Sequence, residues 1–178
     1  MFNFEKEYWN ARYKNGGNSG YGSYDAQLNK KLGWLSGLDV KTISEIGCGD
    51  MNFAINLLRL YPGANYNGQD ISEFIIERNK TLYPQYNFVR EADNLPMADL
   101  LLCIDVTFHI IEDGDYAKLL DQIEEKWEKY LAITAYERDE EMTNHVRIRS
   151  FEYKRFGEPI IREVVEENGQ LYFYLFKK

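Results

Sequence analysis

Apolar and polar positions divide this chain into two regimes. Before residue 40 the pattern is helical and interrupted: Phe4, Tyr8, Trp9 and Tyr13 give residues 4–14 a short helix with an aromatic face. Leu28, Leu32 and Leu35 fall at i, i+4, i+7 and predict a second helix over 26–36. Between them Gly16-Gly17-Asn18-Ser19-Gly20-Tyr21-Gly22-Ser23-Tyr24 is too small and polar for core and reads as a loop. From 42 onward, short apolar runs alternate with helical stretches. Thr42–Cys48, Tyr66–Asp70, Tyr86–Arg90, Asp99–Val106 and Tyr130–Ala135 read as strands, with helices over Asn52–Leu60, 73–82 and 114–128. Ser72 is placed to cap the second of these three helices. In the third, Tyr116, Leu119, Leu120, Ile123 and Trp127 share one stripe. The link Glu91–Leu100 is only about ten residues, short of the dozen or so a helical crossover needs, so its helix is expected to shrink to a turn. The continuous run Leu100-Leu101-Leu102-Cys103-Ile104 suits a central parallel strand buried on both faces. Ile160–Glu166, Asn168-Gly169 and Leu171–Phe176 read as a closing β-hairpin. The expected class is a single α/β domain spanning residues 1–178, a mostly parallel sheet ending in antiparallel pairing, with residues 1–40 added before the core.

The junction of the first two strands carries the clearest chemistry. Ile43-Ser44-Glu45-Ile46 runs into Gly47-Cys48-Gly49, and the second strand ends on Asp70, 21 positions after Gly49. Glycines let backbone approach a ligand closely, and a carboxylate at the end of the next strand suits ribose hydroxyls. The pattern predicts a nucleoside pocket. A nicotinamide dinucleotide fits it less well, because Asn52 stands where the third fingerprint glycine would be.

Composition narrows the classes. With 44% hydrophobic and 15% aromatic residues, disorder is not expected. No apolar run approaches the roughly 20 residues of a membrane helix, and Met1-Phe2-Asn3-Phe4-Glu5 does not resemble a secretory signal, so a cytoplasmic, membrane-free protein is expected. A net charge of −8 gives no long-range attraction to nucleic acid. The cluster Arg147, Arg149, Lys154, Arg155 reads as a solvated face rather than an anion site. Cys48 and Cys103 read as buried free thiols, and no Cys/His spacing suggests a metal. A monomer and a homodimer are both compatible with the scattered aromatics.

Glu45-Ile46-Gly47-Cys48-Gly49 with Asp70, in this order of strands and with this ending, resembles the class I S-adenosylmethionine (SAM)-dependent methyltransferases. Three further patterns are similar to small methyltransferases among bacterial and viral glycan-biosynthesis enzymes. They are Trp9 to Tyr24, Asp105-Val106-Thr107-Phe108-His109-Ile110-Ile111-Glu112-Asp113, and His145-Val146-Arg147-Ile148-Arg149-Ser150-Phe151. The resemblance implies a Rossmann-like three-layer sandwich of strand order 3-2-1-4-5-7-6, SAM as cofactor and methyl transfer to a hydroxyl of a sugar, glycan or related small molecule. It implies that Gly47, Cys48 and Gly49 cradle the methionine part, with Glu45 beneath them on the loop N–H groups or the cofactor's amino group. Asp70 takes the ribose, Ile71 the adenine face and Asp93 the adenine amino group. Met51 stands where the family often has a third glycine, a change expected to set the first crossover helix outward while binding survives.

Asn18–Tyr24 reads as a lid, with Tyr21 and Ser23 on the cofactor and Tyr21, Tyr24 and Phe108 as an aromatic wall for a sugar. His109 lies just past the fourth strand, at the edge where such sheets bind ligands, and is the first candidate for general base because an imidazole titrates near neutral pH. Asp105 is expected to orient it or to hold the acceptor, and His145 is a second catalytic candidate. Amine or carboxylate methylation, or SAM binding without an acceptor, are the competing readings.

Overall fold

The computed structural model of the chain describes residues 3–140, 145–166 and 170–178, apart from the side chains of Asn3, Tyr21 and Asp25. Helices α1 (Asn3–Lys14) and α2 (Asp25–Trp34) precede β1 (Thr42–Ile46), α3 (Asn52–Leu58), β2 (Asn65–Gln69), α4 (Glu73–Leu82), β3 (Asn87–Val89), β4 (Ala98–Cys103), α5 (Asp113–Glu125), β5 (Trp127–Tyr136), β6 (Ile161–Glu166) and β7 (Leu171–Lys177). The seven strands form one sheet of order β3-β2-β1-β4-β5-β7-β6, the order expected. Strands β1 to β5 pair in parallel, and β7 runs antiparallel between β5 and β6. The Asn168-Gly169 turn lies outside the described residues, but the strands it was expected to join do pair.

Side chains alternate across the strands and feed two cores. On one face Ile43, Tyr66, Leu100, Leu102 and Phe173 pack with Phe53, Ala54 and Leu57 of α3 and Ile75 and Ile76 of α4. On the other face Leu101, Cys103, Leu131 and Ile133 meet Leu119, Leu120 and Ile123 of α5. The link from β3 to β4 is a main reason the second face has fewer helices. Eight residues separate Val89 from Ala98, with one 3-10 turn at Ala92–Asn94. They must cross three strand spacings, roughly 14 Å, while returning along the sheet, and an extended chain gives only about 3.3–3.6 Å per residue. A helix at 1.5 Å per residue does not reach.

Most element boundaries shift from the sequence reading by a few residues, and two of the shifts have a clear physical cause. Trp127 opens β5 rather than closing the α5 stripe, and its side chain is buried in the second core. The fourth strand ends at Cys103, because Asp105 adopts a left-handed backbone (φ 58°) that turns the chain out of the sheet. Met51 likewise takes φ 70°, at the start of α3, and is fully buried. The left-handed geometry that glycine would supply is thus adopted by methionine, at a cost of about 1–2 kcal/mol that its buried side chain offsets.

Candidate active site

The turn after β1 is built by backbone that only glycine fits easily. Gly47 (φ 74°) and Gly49 (φ 50°) are both left-handed. A Cβ on Gly47 would lie 2.3 Å from Val106 Cγ2, and one on Gly49 would lie 2.1 Å from Ser19 Oγ and 2.8 Å from the Tyr13 hydroxyl. The N–H groups of the turn are held from β2 and from the N-terminal segment. Gly47 N–H donates to Gln69 Oε1 (3.3 Å), Cys48 N–H to the Gln69 carbonyl (2.8 Å), Gly49 N–H to Asp70 Oδ2 (3.0 Å) and Asp50 N–H to Ser19 Oγ (2.9 Å).

Beside this turn, at the carboxyl edge of β1, β2 and β4, lies a cavity of about 330 Å³. Gly47, Asp70 and Ile71 line its middle, Arg90 to Ala92 with Leu119 and Gln122 one end, and Trp9, Tyr13, Ser19, Ser23, Asp105 and His109 the other. The Asp70 carboxylate is buried and accepts from Gly49 N–H and Ser72 N–H (2.8 Å). Burial pushes its pKa up to about 6, against the lowering effect of those two N–H groups. Each of its oxygens keeps a further lone pair for a hydroxyl donor. A carboxylate, a glycine turn and an apolar wall of Ile71, Val106 and Leu119 suit a nucleoside.

Several expected residues stand elsewhere. Glu45 does not line the cavity and does not reach the turn's N–H groups. It is buried between strands and accepts the Tyr66 hydroxyl. Burial raises its pKa to about 8, so it is mostly protonated at neutral pH. Folding then takes up a proton as pH rises above the ordinary carboxyl value of 4.5. The stability this position gives is complete below that value and is lost as pH climbs towards 8. Glu45→Gln, neutral throughout, is expected to be more stable than the parent by on the order of 3 kcal/mol at pH 8–9 and indistinguishable near pH 4. Urea unfolding across that range reads the difference, and parallel pH profiles would contradict it.

The Cys48 thiol packs on Gly68 and Asn79 in the core rather than facing the cavity, so it offers a ligand backbone at most. Asp93 is turned towards α5, where it accepts from Gln122 Nε2 (2.5 Å) and pairs with Lys118, while its neighbours Glu91 and Ala92 line the cavity. The Tyr21 side chain lies outside the described residues. Tyr24 donates its hydroxyl to Asp50 (2.8 Å), and Phe108 packs on His109 and Tyr136; neither lines the cavity. The aromatic wall is instead Trp9 and Tyr13, from a helix whose aromatic face was legible but whose target was not.

His109 does line the cavity, packed edge-on to Trp9 with ring centroids 5.1 Å apart. Its Nδ1 lies 3.1 Å from the His145 carbonyl. A carbonyl only accepts, so Nδ1 carries the hydrogen and Nε2 the lone pair. Burial lowers its pKa to about 4 rather than leaving it near neutrality. His145 itself stacks on Tyr8 (4.3 Å) and stands behind His109, outside the cavity lining. Its contribution is the carbonyl that fixes the His109 tautomer.

Asp105 lines the cavity but does not orient His109. Its carboxylate is taken by Lys31 Nζ and by the Thr134 hydroxyl (2.9 Å). Lys31, fully buried, was not singled out from sequence. It also donates to the Gly22 carbonyl (3.0 Å) and so ties the glycine-rich segment to the end of β4. Ser19 makes a second tie, since its N–H donates to Asp50 Oδ2 (3.0 Å) in return for the bond to its hydroxyl. Arg147 and Arg149 bind Asp113 and the carbonyls of Ile110 and Ile111, and Arg155 binds Asp121 and Glu124, so this basic cluster fastens residues 147–155 to α5. Among the described residues no three His, Cys, Asp or Glu side chains are grouped to hold a metal ion, and no helix is long and apolar enough to cross a membrane.

No protein-family model matches the chain, and no curated protein matches it in sequence. Its likenesses are structural. The magnesium protoporphyrin IX methyltransferase ChlM from Synechocystis PCC 6803, solved with bound SAM, gives a TM-score of 0.65 at 16% identity over 96% of this chain and 92% of its own. The N-methyltransferase NodS from Bradyrhizobium japonicum WM9, solved with S-adenosyl-L-homocysteine (SAH), gives 0.63 at 15% identity, covering 83% of this chain and 84% of its own. An O-methyltransferase family protein from Burkholderia thailandensis gives 0.63 at 11% identity over 85% of this chain, which spans only 56% of that protein. Identities this low show architecture alone: the chain has the seven-stranded, Rossmann-like fold of the class I SAM-dependent methyltransferases.

Proposed function

We propose that the chain is a SAM-dependent methyltransferase whose acceptor is a hydroxyl of a sugar, a glycan or a related small molecule. The observation that carries this reading is the cavity at the carboxyl edge of β1 and β2, where the Gly47 turn and the Asp70 carboxylate meet. SAM bound there supplies a methyl group on a sulfonium that is already a good leaving centre. Asp70 accepts the ribose hydroxyls, Ile71 and Leu119 offer apolar surface to the base, and Gly47 lets backbone close on the amino-acid part. Trp9, Tyr13 and Ser23 exclude water from the other end. Holding the acceptor oxygen in line is the protein's main task, worth about 7–11 kcal/mol in well-oriented systems.

His109 has a narrower task than neutral-pH titration suggests. A base with pKa about 4 does not ionise a sugar hydroxyl in advance. As the new C–O bond forms, however, the hydroxyl becomes strongly acidic, and Nε2 is then basic enough to take its proton. His109→Ala is therefore expected to lower kcat by about 10²–10⁴ while leaving SAH affinity intact. The neutral imidazole persists in acid, so this residue leaves the parent's rate flat from pH 8 down to about 5, with an inflection near 4. SAH release with nucleotide sugars as acceptors measures both. Full turnover by the variant removes His109 from the chemistry, and SAH release independent of any acceptor favours a SAM-consuming protein instead.

A further inference from the structure

Three residues on α1 at four-residue spacing, Glu5, Trp9 and Tyr13, all line the cavity. The stripe runs about 12 Å along the helix axis. Tyr13 stands over the glycine turn and Trp9 beside His109. Glu5 marks the end furthest from the turn, next to Ile110 and Ile111. It is only 5% exposed, and Oε1 accepts the Ile111 N–H at 2.9 Å. Among the described residues no cation pairs with it. The nearby guanidinium groups of Arg147 and Arg149 are held by the Ile110 and Ile111 carbonyls and by Asp113. The cations that line the cavity are also engaged elsewhere, Arg90 with Glu73 and Lys118 with Asp93, and His109 is neutral. A carboxylate this buried costs several kcal/mol unless a partner offsets it. The fold gives Glu5 one backbone N–H, on Oε1, and the residue lines the same cavity as Trp9 and His109.

Resting on the methyl-transfer reading, we infer that Glu5 selects the acceptor. Its second oxygen accepts a hydrogen from an uncharged or cationic head group, a hydroxyl or an ammonium, whose carbon framework lies on Trp9. Acceptors that place a carboxylate or phosphate against Glu5 as that head group are refused, because like charges forced together in a desolvated site cost several kcal/mol. The substrate class is thereby narrowed to alcohols and amines, and carboxyl methylation is disfavoured.

Three probes of one shape test the charge preference without knowledge of the natural acceptor: benzyl alcohol, benzylamine and benzoate. Each is titrated into the intact protein saturated with SAH and followed by NMR, with SAH affinity measured separately by calorimetry. Benzyl alcohol and benzylamine are expected to bind at least about tenfold more tightly than benzoate. Glu5→Gln is expected to erase the preference for benzylamine over benzoate while leaving SAH affinity unchanged. Glu5→Asp, which keeps the charge, is expected to retain it. The proposal is overturned if benzoate binds as well as the others, if none of the three binds, or if Glu5→Gln keeps the preference. It is overturned equally if Glu5→Gln loses SAH, which would assign Glu5 to the cofactor. A parent protein that fails to take up SAH defeats the methyl-transfer reading and this inference together; uptake without charge preference defeats this inference alone.

Discussion

Replacing Lys31 with methionine is expected to cost the fold about 3–5 kcal/mol, because it strands a carboxylate inside the protein. Lys31 is fully buried, and the Asp105 side chain beside it is 11% exposed. The ammonium also holds the Gly22 carbonyl, and Asp105 sits in a left-handed backbone that turns the chain from β4 towards His109. Gly22 is glycine for the same reason, since a Cβ there would lie 2.1 Å from Asp105 Oδ2. For a chain of this length such a loss lowers Tm by roughly 6–20 °C. Pairing Lys31→Met with Asp105→Asn should recover much of it, because the stranded charge is gone, and the double-mutant cycle gives the coupling directly. A loss under about 1 kcal/mol would mean that water, not Lys31, serves Asp105.

The second large effect falls on Asp70. Asp70→Asn preserves size but removes a charged acceptor at the end of β2. Two charge-assisted hydrogen bonds to ribose hydroxyls are worth about 1.5–3 kcal/mol each, so SAH affinity should fall by on the order of 10²-fold or more. The parent's affinity should also weaken as pH falls through about 6, where Asp70 takes up a proton, and that pH dependence should be missing from the variant. Unchanged SAH affinity in Asp70→Asn would place the ribose elsewhere.

The parts of this protein legible in its sequence are those set by local pattern. Asp70 was found because a strand-end acid follows a glycine turn at a fixed interval, and β6 and β7 because alternating apolar runs flank Asn168-Gly169. The shrunken link before β4 was legible from its length alone. What escaped depends on partners distant in the chain. Lys31 lies 74 positions from Asp105, and Glu5 lies 106 from Ile111; a Lys or Glu on a short helix reads as a solvent-facing charge. Asp93, expected on the adenine amino group, is held instead by Gln122 and Lys118 of α5, partners that its local sequence does not reveal. His109 was correctly placed at the strand edge, but its pKa is set by burial under Trp9 and Phe108, which no local pattern reveals. Trp127 was misread because an aromatic four residues after Ile123 fits a helix stripe as well as a strand start.

The measurement that bears most directly on the whole account is isothermal titration of SAH into the intact protein at pH 7.5. One molecule bound per chain, with affinity sharply reduced in Asp70→Asn, is the predicted result. Absence of any uptake by the folded parent protein would contradict it.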